Sequence, residues 1–204
     1  MQTDAQPVFS VDGLRAVEIG SADIPALQSF FEANPEYFHA VSGEAPCEDE
    51  AAREFRDDPP AGWTFARKWL LGFIDDSGAI VGTASVVSDL LAAHVWHIGL
   101  FMVATARHGT GDAQGLYRAL EDWAAGSGAQ WIRLGVVQGN ARAERFWQRA
   151  GFVPLRTREA VPMGRRVNTL LVMVKPLAGG KIADYLALVE RDRPDRPTLS
   201  RRLP

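Results

Sequence analysis

One cysteine in 204 residues, Cys47, leaves no partner for an internal disulfide. A lone thiol suits a reducing compartment, and a cytoplasmic location is expected. No apolar run approaches the length needed to cross a bilayer, so no membrane partner is expected. The opening MQTDAQPVFSVDG has no basic stretch followed by an apolar one, and it does not read as a secretory signal. Basic charge is not in excess either: 22 Lys and Arg stand against 25 Asp and Glu, a net charge of −3. That excludes a general nucleic-acid binder, and it mildly favours a cationic or amine ligand. No metal is expected.

The informative stretch runs from Val95 to Ala124. Val95–Val103 (VWHIGLFMV) is bulky and uncharged apart from His97, as suits a strand buried on both faces. A turn follows, His108-Gly109-Thr110-Gly111-Asp112-Ala113. The period then changes, with Leu116, Leu120 and Trp123 at helical spacing. Strand, glycine turn and helix together aim several main-chain N–H groups and the positive end of a helix at one point. Gly109 and Gly111 let a ligand approach the main chain. The arrangement predicts a cradle for phosphate oxygens; the competing reading is a plain strand-to-helix connection. The dinucleotide fingerprint G-x-G-x-x-G fails at Gln114, and no Lys follows as a P-loop requires.

A second stretch, Asn140-Ala-Arg-Ala-Glu-Arg-Phe-Trp-Gln-Arg-Ala-Gly151-Phe152, lies downstream, with a helix and a strand between. The two stretches resemble the signatures of the GCN5-related N-acetyltransferases, the GNAT family. Their pyrophosphate loop, Gln/Arg-x-x-Gly-x-Gly/Ala, falls on His108, Gly111 and Ala113, with His108 in place of Gln or Arg. The second pattern, N-x-x-A-x-x-F-Y-x-x-x-G-F, is matched by Asn140, Ala143, Phe146, Gly151 and Phe152, with Trp147 where a Tyr is usual.

The rest of the chain supplies the elements of one mixed α/β sheet. Strands are expected at Leu14–Ile19, Arg67–Ile74, Ala79–Val87, Val95–Val103, Trp131–Val137, and near Phe152–Arg158 and Val167–Lys175. Asp75-Asp76-Ser77-Gly78 reads as a hairpin turn, and the crossover from Val103 to Trp131 predicts a parallel pair. Helices are expected after Ser21 or Asp23, near Pro35–Val41, at Cys47–Arg56, after Asp112, at Ala141–Ala150 and near Lys181–Glu190. Met1 to Asp12 reads as frayed. The expected fold is α/β, a single-domain GNAT-like mixed sheet of six to seven strands flanked by four to five helices. It would occupy residues 13–177, with 178–204 as a C-terminal extension, in part mobile or packed on a neighbour.

The resemblance implies acetyl-CoA as cosubstrate, with a primary amine attacking the thioester directly. The cofactor would be held by main chain at Met102 and Val103, by the turn His108, Gly109, Thr110, Gly111, Asp112 and Ala113, and by Asn140, Ala143 and Phe146. His97 lies six residues before Val103, where many GNAT enzymes carry a Glu or His that deprotonates the amine. Its other reading is a hydrogen-bonded core residue. Trp147 cannot donate a proton as the usual Tyr does, and it reads as a core aromatic; Tyr117 is a candidate substitute donor. Asn140 reads as a helix cap and as a contact to the pantetheine arm. Asp112 is expected to cap the following helix, the alternative being repulsion of the pyrophosphate. The segment Asn34–Glu44, with Tyr37, Phe38 and His39, is expected to line the acceptor site. The acceptor would be a small-molecule or peptide amine, and a homodimer is compatible with the sequence. Two other readings stay open: a CoA-binding regulatory or interaction module without catalysis, and a different acyl donor.

Overall fold

The computed structural model describes residues 6–177 and 179–194. Eight strands form one sheet: β1 (Phe9–Val11), β2 (Leu14–Glu18), β3 (Arg67–Ile74), β4 (Ile80–Ser88), β5 (Val95–Val103), β6 (Trp131–Val137), β7 (Val153–Met163) and β8 (Arg166–Pro176). Their spatial order is β1-β2-β3-β4-β5-β6-β8-β7. All neighbours are antiparallel except β5 and β6. Six α-helices accompany them among the described residues: α1 (Ile24–Ala33), α2 (Glu36–Val41), α3 (Glu50–Arg56), α4 (Asp112–Gly126), α5 (Ala141–Arg149) and α6 (Ile182–Leu188).

The strand beyond the expected six to seven is β1. Asp12 and Gly13 have φ of 48° and 75°, and Val11 pairs directly with Leu14. A two-residue Asp-Gly loop with both φ positive is the tightest hairpin turn, and it carries Phe9–Val11 back onto β2. Phe9 then packs against Phe73 and Trp123, at 6.2 and 6.0 Å between centroids. Residues 9–11 are therefore paired strand rather than frayed end; residues 1–5 of the expected frayed segment lie outside the described residues.

The sheet separates two cores. On one face Trp96, Ile98, Phe101 and Val103 pack with Leu116, Tyr117 and Leu120 of α4 and Trp147 of α5. On the other, Leu100 and Met102 pack with Leu27, Phe30 and Phe31 of α1, Phe38 of α2 and Ala51 of α3. The switch of faces between Ile98 and Leu100 has a cause. Ser85 pairs with Leu100 and Val86 with Ile98, so Gly99 is an extra residue in β5, a β-bulge. A second local event occurs at the same place: β5 pairs with β6 only from Val95 to Ile98. Beyond that point β6 continues against β8 alone, to Val137. The two parallel strands splay, and the end of β5 has one free edge.

Part of the C-terminal extension lies on its own chain. Tyr185 and Val189 are buried with Val95, Trp131 and Val174. Asp192, fully buried, accepts from Arg133 Nε at 2.7 Å, from Arg158 at 3.0 Å and from the Tyr185 hydroxyl at 2.5 Å. Two guanidiniums and a hydroxyl satisfy this one carboxylate, as a buried charge requires. The remainder of the extension, 195–204, lies outside the described residues.

Candidate active site

The wedge between β5 and β6 is floored by Phe101, Met102 and Val103 and walled by the turn after β5 and by α5. A cavity of about 300 Å³ opens there, and Tyr37, His108, Ala113, Asn140, Ala143, Phe146 and Trp147 are among its lining residues. Most of the residues expected to hold the cofactor thus come together, although they are spread from Met102 to Phe146.

Polar side chains line this cleft, Asn34, Glu36, Thr105, Asn140 and Arg142 among them, and main-chain groups open at its edge. Ala104 N–H donates to Val81 at 2.8 Å, which fixes the alternation along the β4–β5 ladder. Met102 is opposite Thr83 in a hydrogen-bonded pair, so its main-chain groups face β4. Phe101 and Val103 turn theirs to the free edge. The main-chain groups open at the end of β5 are therefore those of Phe101 and Val103, not of Met102 and Val103 as expected. One lone pair is already used, since His108 Nε2 donates to the Val103 carbonyl at 2.9 Å. His108, expected at the phosphates, instead ties the turn back to the strand.

In the turn itself, Gly109 and Gly111 have φ of 86° and 101°. A Cβ at either would meet nothing within 4 Å, so the left-handed backbone, not crowding, accounts for glycine. Gly111 occupies the N-cap of α4, with no side-chain cap. The amides of Gly109, Gly111 and Ala113 have no acceptor among the described residues. Free amides at a helix N-terminus are the donor set a phosphate needs.

Asp112 departs from both expectations for it. It makes no cap; its carboxylate accepts from Arg107 at 2.9 Å, and Arg107 also reaches Asp75 at 3.3 Å. Hydrogen bonding to Arg107 holds the Asp112 carboxyl below the usual carboxylate range. An anion in the turn thus faces a carboxylate already bonded to a guanidinium, which Asp75 shares, rather than a bare one. Asn140 behaves as expected of a cap, its Oδ1 accepting from Ala143 N–H at 3.2 Å while the residue lines the cleft. Trp147 is a core aromatic, 8% exposed, whose ring also reaches the cleft. Tyr117 packs edge-on behind it at 5.2 Å, is 1% exposed and lines neither cavity, and its hydroxyl is pushed above the ordinary phenol range by burial.

A second cavity of about 380 Å³ lies on the opposite side of β5. Phe31, Tyr37, Phe38, Glu50, Glu54, Leu100 and Met163 are among its lining residues, and it includes Gly99 at the bulge. The β7–β8 hairpin closes it over α2: Arg166 donates to the Ala40 carbonyl at 3.0 Å and Asn168 to Val41 at 2.8 Å. Tyr37 lines both cavities. Of the expected acceptor residues, Tyr37 and Phe38 are therefore brought in, whereas His39 is exposed and lines neither. Sequence reading missed Glu50 and Glu54 because α3 looked like a solvated charged helix. The signal was there: Glu50 and Glu54 share a helix face with Ala51 and Phe55, which pack inward.

His97 is placed elsewhere. It is part-buried and lines neither cavity. Its Nδ1 lies 3.0 Å from the Arg133 carbonyl and 3.4 Å from the Arg133 guanidinium. Burial first, then the guanidinium charge, pushes its pKa down to about 3. A ring so reluctant to protonate is a poor acceptor for an ammonium proton, which is at odds with the expected role as base.

Comparison with known proteins follows the same lines. The family model described as "Acetyltransferase (GNAT) family" matches residues 27–152. No curated protein matches by sequence. Among solved structures, an acetyltransferase from Thermus thermophilus is 25% identical, with a TM-score of 0.63, covering 82% of this chain and 99% of that one. A GCN5-related N-acetyltransferase from Kribbella flavida is 29% identical, with a TM-score of 0.59, over 81% and 98% of the two chains. A spermidine N-acetyltransferase from Vibrio cholerae, in complex with CoA and spermine, shares the fold at 15% identity, with a TM-score of 0.61, over 80% and 95%.

Proposed function

The chain belongs to the acetyltransferase (GNAT) family, and from that premise we propose that it transfers an acetyl group from acetyl-CoA to a primary amine by direct attack. The observation that carries the proposal is the free edge of β5 opening on a turn in which the amides of Gly109, Gly111 and Ala113 lack acceptors among the described residues. The pyrophosphate would be held by N–H groups of Gly109, Gly111 and Ala113 at the start of α4. Thr110 and Asp112 shape that turn, through the Thr110 hydroxyl bonded to the Arg107 carbonyl at 2.9 Å and through the Arg107–Asp112 pair. The pantetheine arm would pair with the Phe101 and Val103 main chain, and Asn140, Ala143 and Phe146 would cover it.

The thioester would then lie toward the Gly99 bulge and Tyr37, the residue that lines both cavities. Main-chain donors at this end of β5 would stabilise the oxyanion of the tetrahedral intermediate. Holding amine and thioester together in the two neighbouring cavities would supply several kcal/mol of the barrier reduction. Neither Trp147 nor Tyr117 would serve the departing thiolate: indole is no acid, and Tyr117 is sealed behind Trp147. A thiolate is a good enough leaving group to take its proton from water.

Thiol release from acetyl-CoA with a panel of primary amines, beside calorimetry of acetyl-CoA binding, tests this reading. Turnover with at least one amine is expected. Binding without turnover on any amine would favour a CoA-binding module without catalysis. Tighter binding of a longer acyl-CoA with faster transfer would change the donor and leave the rest.

A further inference from the structure

The cavity beyond the bulge has a chemistry of its own. Its lining holds two carboxylates, Glu50 and Glu54, one phenol, Tyr37, and no Lys, Arg or His. The remaining surface is mainly apolar, including Phe31, Phe38, Val41, Leu100 and Met163. Glu50 is oriented by Cys47, whose N–H and thiol both donate to its Oε2, at 3.2 and 2.9 Å. Glu54 stands one turn further along α3 and lines the same cavity. Ser85 Oγ lies 3.8 Å from where a Cβ on Gly99 would stand. Glu54 thus shares this cavity with Gly99 at the bulge and with Tyr37, which also lines the neighbouring cleft. The Tyr37 hydroxyl has no hydrogen-bond partner among the described residues. Burial raises the Glu54 carboxyl above its ordinary range, and the Ser85 hydroxyl and Lys68 only partly oppose the shift.

Resting on the acetyltransferase reading, we propose that this cavity is the acceptor site, that it takes a compact monoamine with an apolar body, and that Glu54 accepts the ammonium proton. Two carboxylates at one end pair with one ammonium, while the apolar walls leave a second cation of a polyamine, or the amides of a peptide, without partners. The step balances. Glu54 takes one proton from R–NH3+, and the nitrogen lone pair forms the C–N bond at the thioester carbonyl. The C–S bond breaks with its electron pair on sulfur, the thiolate gains a proton as the new amide nitrogen loses one, and Glu54 returns its proton to water. A carboxyl with a raised pKa is better matched to this transfer than the His97 ring, which stays neutral.

The test uses the full chain with acetyl-CoA and four acceptors: 2-phenylethylamine, n-hexylamine, spermidine and a free-amino tripeptide. The two monoamines are expected to exceed the others in kcat/KM by about tenfold or more, the penalty for burying an unpaired charge or amide. Glu54→Gln is expected to lower kcat by roughly 10²–10⁴-fold, to lose the acidic limb of the pH–rate profile, and to bind acetyl-CoA as wild type does. Glu50→Gln is expected to act mainly on KM. Preference for spermidine or the peptide overturns the acceptor class. A Glu54→Gln enzyme within about threefold of wild-type kcat, or with an unchanged profile, overturns the role of Glu54. If no amine is turned over, the wider reading fails instead, and monoamine binding to the CoA-loaded protein still decides the pocket. Binding that Glu54→Gln weakens supports the pocket; no binding overturns it.

Discussion

The two cavities on either side of β5 are built from different parts of the chain. In the cleft toward β6 the open groups at the strand edge and turn are main chain: the backbone of Phe101, Val103, Gly109, Gly111 and Ala113, exposed because two strands part and a helix begins, beside polar side chains such as Asn34, Glu36 and Arg142. The pocket beyond the bulge is a side-chain site, assembled from α1, α2, α3, β5 and the β7–β8 hairpin. A main-chain site tolerates most substitutions and fails when the backbone path changes. A side-chain site can change its ligand with one substitution while the fold stays as it is. One scaffold can therefore keep its acyl donor and vary its acceptor. Gly99 stands between the two, because the bulge there turns Leu100 toward the pocket where the β5–β6 pairing ends.

The contrast can be broken most forcefully in the cleft. Gly111 has φ of 101°, where a β-branched side chain is strained. Gly111→Val is expected to weaken acetyl-CoA by on the order of tenfold to a hundredfold, equivalent to ~1.4–2.8 kcal/mol, read by calorimetry. Amine binding in the pocket should be spared. Unchanged acetyl-CoA affinity in the folded variant would place the pyrophosphate elsewhere.

A second, intermediate effect concerns stability in the pocket. The folded pKa of Glu54 is raised, so ionising it costs stability as pH rises through that value. Glu54→Gln should therefore melt above wild type at neutral pH, by a few degrees at most, and the gap should close below the ordinary carboxylate range. The same variant is expected to lose rate, the trade of a functional residue. A lower melting temperature at neutral pH would mean that Glu54 holds the fold rather than the proton.

The smallest effect is expected at His97. His97→Gln keeps the volume and a hydrogen-bonding end beside Arg133. Turnover should stay within about threefold of wild type and the pH profile should be unchanged, while stability falls by about 1 kcal/mol. Loss of rate with loss of the acidic limb would return the proton to His97 and remove it from Glu54.

How much of this was legible in the sequence follows from the same contrast. The cleft was readable because its parts are short and contiguous: a strand, two glycines, a helix start and the Asn140 cap. What sequence could not show was the alternation within β5. An extra residue at Gly99 shifts every later side chain to the other face, so counting back from Val103 to His97 crosses a bulge that composition does not mark. Asp112 was misread for a related reason. A cap requires the residue before the first helical turn, and that place is taken by Gly111, while Arg107 claims the carboxylate. The pocket was the least legible, since residues from Phe31 to Gly164 meet there only through tertiary packing. β1 was missed against a plain signal, the Asp12-Gly13 turn.

The claim that the donor is held by main chain is tested most directly by following backbone amide resonances while acetyl-CoA is added. The expected result is saturable perturbation of Phe101, Val103, Gly109, Gly111, Ala113 and Asn140, with Arg133 and Asp192 unmoved. Saturable binding that leaves the 101–113 amides in place, or no binding at all, would contradict it.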